Sequence, residues 1–372
     1  MLRSFAMRKM QGLRLTLVSR GLEMVYSGML PGRVAGHYSH EDCVVDLDRL
    51  CRAAGARLID RSAIGLDCAG RLVLVENGPP VGYDIASLDI GIAPKLDAIA
   101  GADRHAIAVT PIADFDAKWL ELEARCLRPV GPRRILVVGG GAAGFELILA
   151  IREALIGKDH TDKLHGDEVS PRDFSFTLVS GKEFLGEPNR AATRAAAEAL
   201  LERGIRLVTG RSAVAIDAEG VHLDDGCFMK GDAIIVATQA QAPSWLAQTA
   251  LSLDAEGFVA IRQTLQSQGD GDVFAAGDCA GMIEHPRPKA GVFAVRQGPV
   301  LAENLRRHAG GRRLLRYLPQ KRALMLLGLG DDEAIACWGP LAVRGRLAWR
   351  LKQHIDRRWI GQYQRIGAGA AQ

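Results

Sequence analysis

Short apolar runs alternate along the chain with longer stretches in which apolar residues recur every three to four positions. The runs predict β-strands and the stretches predict amphipathic helices. Predicted strands fall at residues 13–18, 57–60, 71–76, 83–93, 135–138, 174–179, 206–209, 213–218, 220–223, 233–237 and 272–275. Predicted helices fall at residues 41–54, 115–126, 145–155, 190–203 and 292–307, with a basic helix-like stretch at 341–363. Alternating strands and helices indicate an α/β fold with a parallel sheet covered on both faces.

One strand-to-helix junction carries a glycine pattern. The apolar run 135–138 leads into Gly139, Gly141 and Gly144 in the spacing G-x-G-x-x-G, and a helix is predicted directly afterwards. The first glycine permits a tight turn, the second lets a pyrophosphate approach the backbone, and the third lets helix and strand pack closely. The free N–H groups of such a helix start favour a phosphate group. The pattern therefore predicts a dinucleotide site.

The charge distribution and the cysteine content restrict the partners, the metal sites and the redox compartment that we expect. The net charge of the 372 residues is +4, yet residues 306–365 hold 14 Lys/Arg against 4 Asp/Glu. This basic segment predicts either an anionic partner surface or a solvated basic face. Seven cysteines without a C-x-x-C argue against zinc or a redox dithiol, so we expect no metal and a reducing, cytoplasmic setting. We expect no nucleic acid partner.

A second pair of motifs follows. The stretch 273–278 ends in Gly277 and Asp278, and a carboxylate at such a strand end can accept hydrogen bonds from a polyol. Ten residues later, the stretch 288–298, with Pro288 and Lys289 at its start, predicts a proline-started helix whose N-terminus can face an anionic ring. The combination is more specific than either motif alone.

These motifs resemble those of flavoproteins with two dinucleotide-binding domains, the pyridine nucleotide-disulfide oxidoreductase superfamily. The type II NADH dehydrogenase and sulfide:quinone oxidoreductase class is most similar, in particular the oxidoreductases found fused to selenide, water dikinase. The matching stretches are 26–32, 137–144 with Glu146, 237–238, 274–278 and 286–298.

The resemblance implies two Rossmann-like domains, one inserted in the other. An FAD-binding domain would comprise residues 1–105 and 256–310, an NAD(P)H-binding domain residues 133–255, and a short C-terminal basic region residues 311–372. FAD and NAD(P)H would be the cofactors, and FAD would carry the redox chemistry.

The resemblance also implies a set of site residues. Lys289, at the flavin's pyrimidine end, and Glu146, near the nicotinamide, would be catalytic. The residues that would contact NAD(P)H are Gly139, Gly141, Gly144, Ser180 and Thr238. The residues that would contact FAD are Ser19, Met29, Pro31, Gly277, Asp278, Ala290, Gly291 and Val292.

The chain departs from the pattern in two ways. Family members place a strand and a Gly-rich turn ahead of a segment like residues 2–10, and without them the neighbouring strands would lose ladder partners and FAD contact would weaken. Ser19 and Ser180 stand where an acidic residue often binds a ribose hydroxyl. The choice between NADH and NADPH therefore stays open. Lys182 would either favour the 2′-phosphate of NADPH or lie in a solvated loop.

The predicted function is an FAD-dependent NAD(P)H oxidoreductase with a quinone as acceptor. The basic C-terminal region would hold it at a membrane surface, and a homodimer is possible. One alternative is a soluble flavoprotein reductase in selenium or sulfur metabolism. The other is a flavin-free NAD(P)-binding protein without catalysis.

Overall fold

The computed structural model describes residues 1–157, 169–181, 183–186, 189–238 and 240–366. Its helices are α1 (Leu2–Met7), α2 (Leu30–Val34), α3 (His40–Cys43), α4 (Leu47–Ala54), α5 (Ala102–His105), α6 (Ile112–Cys126), α7 (Ala142–Ile156), α8 (Arg190–Glu202), α9 (Gly291–Ala309) and α10 (Arg346–Gln364). Strands β1 to β12 are Leu15–Ser19, Glu23–Val25, Val44–Asp46, Ala56–Asp60, Ala63–Asp67, Leu72–Val75, Val81–Gly82, Ala86–Leu88, Ala93–Pro94, Ile107–Ala108, Arg134–Val138 and Ser175–Val179. Strands β13 to β24 are Ile205–Val208, Ala213–Ile216, Gly220–Leu223, Phe228–Lys230, Ala233–Val236, Ala240–Gln241, Val259–Ile261, Val273–Ala275, Ala280–Met282, Leu324–Gly328, Ala334–Trp338 and Leu341–Gly345.

A five-stranded parallel sheet lies around the glycine turn, in the order β10-β17-β11-β12-β13. Strand β11 is central, and Ile135 and Val137 on it are fully buried. Helix α7 packs against β11 and β12 and contributes Phe145 and Ile148 to the same core. A strand covered on both faces needs a continuous apolar run, which is why the sequence reveals this sheet clearly.

The remaining parallel strands form separate two-stranded ladders. Strand β1 pairs with β4, β8 with β20, and β19 with β21. We expected strands of this unit to lack ladder partners, and β1 and β8 each pair with one strand in the described residues. Their shared core is filled by side chains of α1, α4, α9 and the end of α10, including Phe5, Leu50, Leu301 and Ile360.

Three antiparallel meanders complete the fold: β5-β6-β7, β14-β15-β16 and β22-β23-β24. The first contains the strand predicted at residues 71–76. The third packs against α8 and α10. The domain limits stay a prediction, and strand β10 joins the five-stranded sheet from outside the predicted range 133–255.

The prediction of one helix over residues 41–54 was wrong. Helix α3 ends at Cys43, strand β3 pairs with β2, and α4 begins at Leu47. The Asp46 carboxylate accepts a hydrogen bond from the Arg49 N–H at 2.8 Å and caps α4. An N-cap aspartate starts a new helix because it satisfies a free N–H group.

The C-terminal prediction also needs correction. Residues 341–345 form strand β24, and α10 begins only at Arg346, after Gly345 at φ +143°. Similarly, α9 begins at Gly291, so Pro288 precedes this helix and does not start it. Of the predicted strand over residues 83–93, Ala86–Leu88 forms the extended part paired with β20. Residues 158–168, between α7 and β12, lie outside the described residues.

Candidate active site

The glycine turn between β11 and α7 fits a dinucleotide. Gly139 has φ +126°, and a Cβ there would lie 2.3 Å from the Ala237 carbonyl oxygen. A Cβ on Gly144 would lie 1.9 Å from the Gly139 carbonyl oxygen, so only glycine permits this packing. Gly141 is exposed and faces open space. The start of α7 has no side-chain cap, which leaves N–H groups for a phosphate.

The two polar residues predicted beside this turn are placed differently. The Thr238 hydroxyl oxygen is buried without a hydrogen-bond partner in the described residues, and the Thr238 backbone lies next to Gly139. A bound ligand would satisfy this hydroxyl. Ser180 is fully buried, and its hydroxyl donates to the Glu183 carbonyl at 3.1 Å. Lys182 lies outside the described residues.

Strand β20 is followed, three residues after its end, by Asp278, the predicted flavin-side carboxylate. Gly277 precedes it with φ +70°, and a Cβ there would lie 2.3 Å from Oδ1 of Asp89. Burial raises the pKa of Asp278, and Lys289 partly opposes this. Asp89 has solvent access, but protein fills most of the space around its carboxyl group. The resulting loss of hydration raises the pKa of Asp89 to about 6. Two carboxyl groups, Asp89 and Asp278, thus stand near the end of β20, where a polyol could donate hydrogen bonds to them.

The start of α9 is open as well. Ala290 occupies the N-cap position without a side-chain hydrogen bond, and Gly291 is exposed with nothing near its Cβ position. Val292 is half-buried one residue further on. Helix α9 has 19 residues, so its first turn can stabilise negative charge on a ligand.

Lys289 is held just before this helix. Its ammonium group donates to the Ala280 carbonyl at 2.7 Å and lies 3.7 Å from the Phe258 ring centroid. Burial lowers the pKa of Lys289, and Asp254 opposes the shift. The structure therefore gives this lysine a structural contact, and its predicted catalytic role stays a prediction.

The other predicted flavin contacts come from the first part of the chain, in the unit that also holds β20 and α9. Ser19 ends β1, and its carbonyl accepts a hydrogen bond from the Arg61 N–H. Met29 is buried in the core, and the half-buried Pro31 lies in the first turn of α2. Met29 is thus a packing residue first, and any flavin contact would come from its neighbours in the loop 26–32.

A buried polar network joins this loop to α7 and α10. The Lys352 ammonium donates to the Gly28 carbonyl at 3.0 Å and to Asp356 Oδ2 at 3.1 Å. It also lies 3.8 Å from Glu146 Oε1, which accepts a hydrogen bond from the Gly328 N–H at 2.7 Å. Tyr26 completes the network because its hydroxyl is hydrogen-bonded to Asp356. Lys352, and not Lys289, is the cationic neighbour of Glu146.

The charges in this network are strongly coupled. Burial raises the pKa of Glu146, and Lys352 opposes the shift. Burial also raises the pKa of Asp356, again against Lys352. For Lys352, burial lowers the pKa, but Glu146 and Asp356 together raise it above its ordinary value. The protonation of each of the three groups therefore depends on the charge of the other two.

Lys352 and Asp356 were missed by the sequence analysis. A signal was available: Ala348, Trp349, Lys352, Asp356 and Ile360 recur at helical spacing and form the buried face of α10. Two opposite charges four residues apart on an apolar face indicate a buried ion pair. The partner Glu146, about two hundred positions earlier in the chain, could not be found from spacing.

Comparison with known proteins decides the family. The pyridine nucleotide-disulphide oxidoreductase family profile matches residues 3–298. The chain belongs to this family.

Two relatives extend the family assignment. An NADH dehydrogenase-like protein of Mycobacterium tuberculosis is 25% identical over 241 residues, 64% of this chain and 58% of the relative. A type II NADH:quinone oxidoreductase of Staphylococcus epidermidis is 23% identical over 95% of this chain and 90% of its own length. The match thus spans little more than half the length of the first relative.

A solved structure confirms the fold. NDH2 from Plasmodium falciparum, in complex with NADH, superposes with a TM-score of 0.82 over 100% of this chain and 97% of its own, at 13% identity. At that identity the likeness concerns the fold alone. The predicted α/β fold with Rossmann-like units is confirmed for this pyridine nucleotide-disulphide oxidoreductase.

Family membership also confirms the predicted enzyme class, an NAD(P)H oxidoreductase, and its cofactors FAD and NAD(P)H. The open helix starts, the Thr238 hydroxyl without a partner in the described residues and the Asp278 carboxyl fit these two groups. The closer resemblance to proteins fused to selenide, water dikinase stays a prediction. Among the described helices, none combines the length and apolarity that crossing a bilayer requires.

Proposed function

We propose that this protein oxidises NAD(P)H and passes the electrons to a quinone. The observation that best supports this proposal is the buried polar network formed by Glu146, Lys352, Asp356 and Tyr26. In this network α7, the loop 26–32 and α10 meet. The relative from Staphylococcus epidermidis, matched over nearly its whole length, supports the choice of acceptor.

The reaction has a proton requirement that this network meets. NAD(P)H, one proton and a quinone give NAD(P)⁺ and a quinol, so one proton must reach the acceptor from the medium. When bound, FAD accepts the hydride and passes on two electrons. Proton transfer by a positioned side chain is most efficient when the pKa of the group lies near the working pH.

Each residue of the network has a defined part. The Glu146 carboxyl, whose pKa burial raises, is the group that exchanges a proton with the acceptor. Lys352 orients Glu146 and Asp356 and fixes the loop backbone through the Gly28 carbonyl. The Tyr26 hydroxyl continues the hydrogen-bonded path, and its ring stacks on Trp359 with ring centroids 4.1 Å apart. Water is excluded because the Lys352 and Asp356 side chains are more than nine-tenths buried.

The deciding experiment compares two electron acceptors. Glu146→Gln should lower kcat with a water-soluble ubiquinone analogue by about 100-fold, the lower range for a lost general acid. The rate with ferricyanide, which takes electrons without protons, should change little. Glu153→Gln, on the same helix, is the matched control. An equal loss with both acceptors would contradict the proton role of Glu146.

The same preparation tests the alternatives. A bound-flavin absorption spectrum that NADH bleaches is expected for the proposed enzyme. Colourless protein that FAD cannot reconstitute would support the flavin-free alternative. Faster turnover with polysulfide or selenite than with quinones would support the reductase of sulfur or selenium metabolism.

We further propose that the C-terminal hairpin and α10 contact a membrane surface, where quinones dissolve. Several large apolar side chains are exposed on these elements, namely Trp338, Leu341, Val343, Leu347, Leu351 and Ile355. Trp349 and Trp359 are not among them: Trp349 is buried near His37, and Trp359 stacks on Tyr26. Exposed apolar side chains together with basic residues suit a bilayer surface. Sedimentation with anionic vesicles tests this contact. The homodimer stays a prediction.

A further inference from the structure

A recess of about 810 Å³ lies between α1 and the outer face of α10, away from the buried network. It is lined by Arg3, Arg350, Gln353, His354, Arg357, Arg358, Gln362 and Arg365. Five of these eight side chains are guanidinium groups, and the lining includes no carboxylate. Like charges gathered in one concave site repel one another, so a bound anion would relieve a real electrostatic cost.

These arginines differ from the paired arginines elsewhere in the molecule. Arg203 binds Asp331, Arg344 binds Glu333, and Arg134 binds Asp232. In the described residues, none of the five recess arginines lies within 4 Å of a carboxylate. The acid on the same helix, Asp356, is on the buried face and is bound to Lys352.

Three of the five guanidinium groups are nevertheless held in place. Arg3 donates to the Gln362 carbonyl at 3.3 Å and lies 6.0 Å from the Tyr363 ring centroid. Arg365 donates to the Gly361 carbonyl at 2.9 Å. Arg357 lies 5.6 Å from the ring centroid of Tyr38. Contacts with carbonyls and rings orient these groups while leaving their positive charge uncompensated, which is the condition of a ready anion site.

The dimensions of the recess indicate how large the bound anion is. Arg350 and Arg357 are seven residues apart, about 10 Å along a helix, and Arg358 and Arg365 are separated equally. Guanidinium groups distributed over that length can contact two neighbouring phosphate groups at once. The volume is that of a small-molecule pocket, and planar guanidinium forks match phosphate oxygens in pairs.

We propose that the recess between α1 and α10 binds a ligand with at least two neighbouring phosphate groups. Such a ligand is either a free diphosphate or nucleotide, or the headgroup of a lipid that carries two phosphates. The site is independent of the proposed redox reaction, because it shares no residue with the network around Glu146.

Calorimetric titration of the full-length protein with sodium pyrophosphate tests the site. The recess variant below leaves the glycine turn intact, so any pyrophosphate binding that the variant retains belongs to that turn. Arg350→Gln/Arg358→Gln should weaken binding at least about tenfold, since each charged hydrogen bond to phosphate is strong. These two arginines make no ion pair in the described residues, so the folded state should be retained. Arg312→Gln/Arg316→Gln removes the same charge elsewhere and should change affinity less than about twofold.

Vesicles separate the two sources of phosphate. Vesicles with cardiolipin, which has two phosphates, are compared with phosphatidylglycerol vesicles of equal charge density. Preferential binding of cardiolipin that pyrophosphate displaces identifies a lipid headgroup. Pyrophosphate binding without a cardiolipin preference identifies a free ligand.

Two results would overturn the proposal. One is the absence of measurable pyrophosphate binding together with equal retention by both vesicle types, since general electrostatics would then suffice. The other is an equal loss of pyrophosphate affinity in the recess variant and the matched control variant, each first shown to be folded by circular dichroism.

Discussion

The Lys352 ammonium lies 3.1 Å from the Asp356 carboxylate, and both side chains are buried between α10 and the rest of the molecule. Removing one partner of a buried ion pair leaves an uncompensated charge, which costs about 3–5 kcal/mol. Because Glu146 also faces Lys352, two carboxyl groups depend on this single cation.

Lys352→Met should therefore destabilise the protein in a pH-dependent way. Glu146 and Asp356 already have raised pKa values when folded, so the native state binds the extra protons and stability falls as pH rises from about 4 through the folded pKa values. Without Lys352 those values rise further, and the loss should be small at pH 5 and about 3 kcal/mol or more at pH 8. Urea unfolding at both pH values measures it. The double variant Lys352→Met/Asp356→Leu should lose less free energy of unfolding than Lys352→Met. A loss that does not depend on pH would argue against the coupling of Lys352 to the two carboxyl groups.

Two neighbouring glycines should respond in opposite ways to alanine. Gly144→Ala places a methyl group 1.9 Å from a backbone oxygen and should cost about 1–3 kcal/mol in stability. Gly141→Ala meets open space at φ −74° and should leave the melting temperature unchanged. The added methyl group nevertheless stands where a pyrophosphate would approach, so KM for NADH should rise about tenfold. If Gly141→Ala leaves KM unchanged, the turn does not bind the nucleotide in this way.

Asp278→Asn should weaken flavin binding. A carboxylate that accepts hydrogen bonds from a polyol contributes more than a neutral amide, by about 1.5 kcal/mol, or roughly tenfold in affinity. The FAD content after dialysis, measured by absorbance, should fall in this variant. The exposed Asp84→Asn serves as the matched control and should retain wild-type content.

His40 should make a pH-dependent contribution to stability. Hydrogen bonds with Glu23 and Asp116 raise the pKa of this histidine when folded. The contribution is then fully present below about pH 6.5, the unfolded value, and is lost as pH rises through the folded pKa. His40→Gln should lower the melting temperature at pH 6 but not at pH 9. A constant difference across that range would show that His40 acts by packing alone.

The exposed apolar side chains of the C-terminal hairpin and α10 should govern vesicle binding. Leu341→Ser/Leu347→Ser removes two of the most exposed apolar side chains near α10, and each buried leucine contributes about 1.5 kcal/mol or more. Retention by anionic vesicles should fall at least about tenfold. Leu201→Ser/Leu318→Ser, equally exposed at other sites, should behave as wild type. Equal retention of both variants would rule out this surface.

The sequence was most informative where the determinants are local. The turn at Gly139–Gly144 is a continuous pattern, and strand β11 is an apolar run because both its faces are buried. The helix limits were less predictable: Val44 and Val45 prefer a strand, but a run of two β-branched residues between helix-forming stretches is too short to recognise, and its pairing with β2 fixes it as β3. A local preference there becomes secondary structure only through a tertiary contact.

The site was predictable only in part for the same reason. Asp278 and the start of α9 lie in recognisable motifs, whereas the partners of Glu146 come from a helix near the other end of the chain. Ser180 illustrates the converse, since its position in the sequence suggested a ribose contact but its hydroxyl is turned inward to the Glu183 carbonyl. Spacing predicts where a residue stands, and packing determines what its side chain touches.

The stacking of Trp359 on Tyr26 has a practical consequence for the design of shortened proteins. Helix α10 contributes Ile360 to one hydrophobic core and Trp349 to another. It is therefore part of the packed structure, with one face exposed to solvent. Deleting it would expose both cores and release the loop 26–32. A shortened protein that lost vesicle binding would therefore report misfolding, and membrane attachment must be dissected by point substitutions on the outer face.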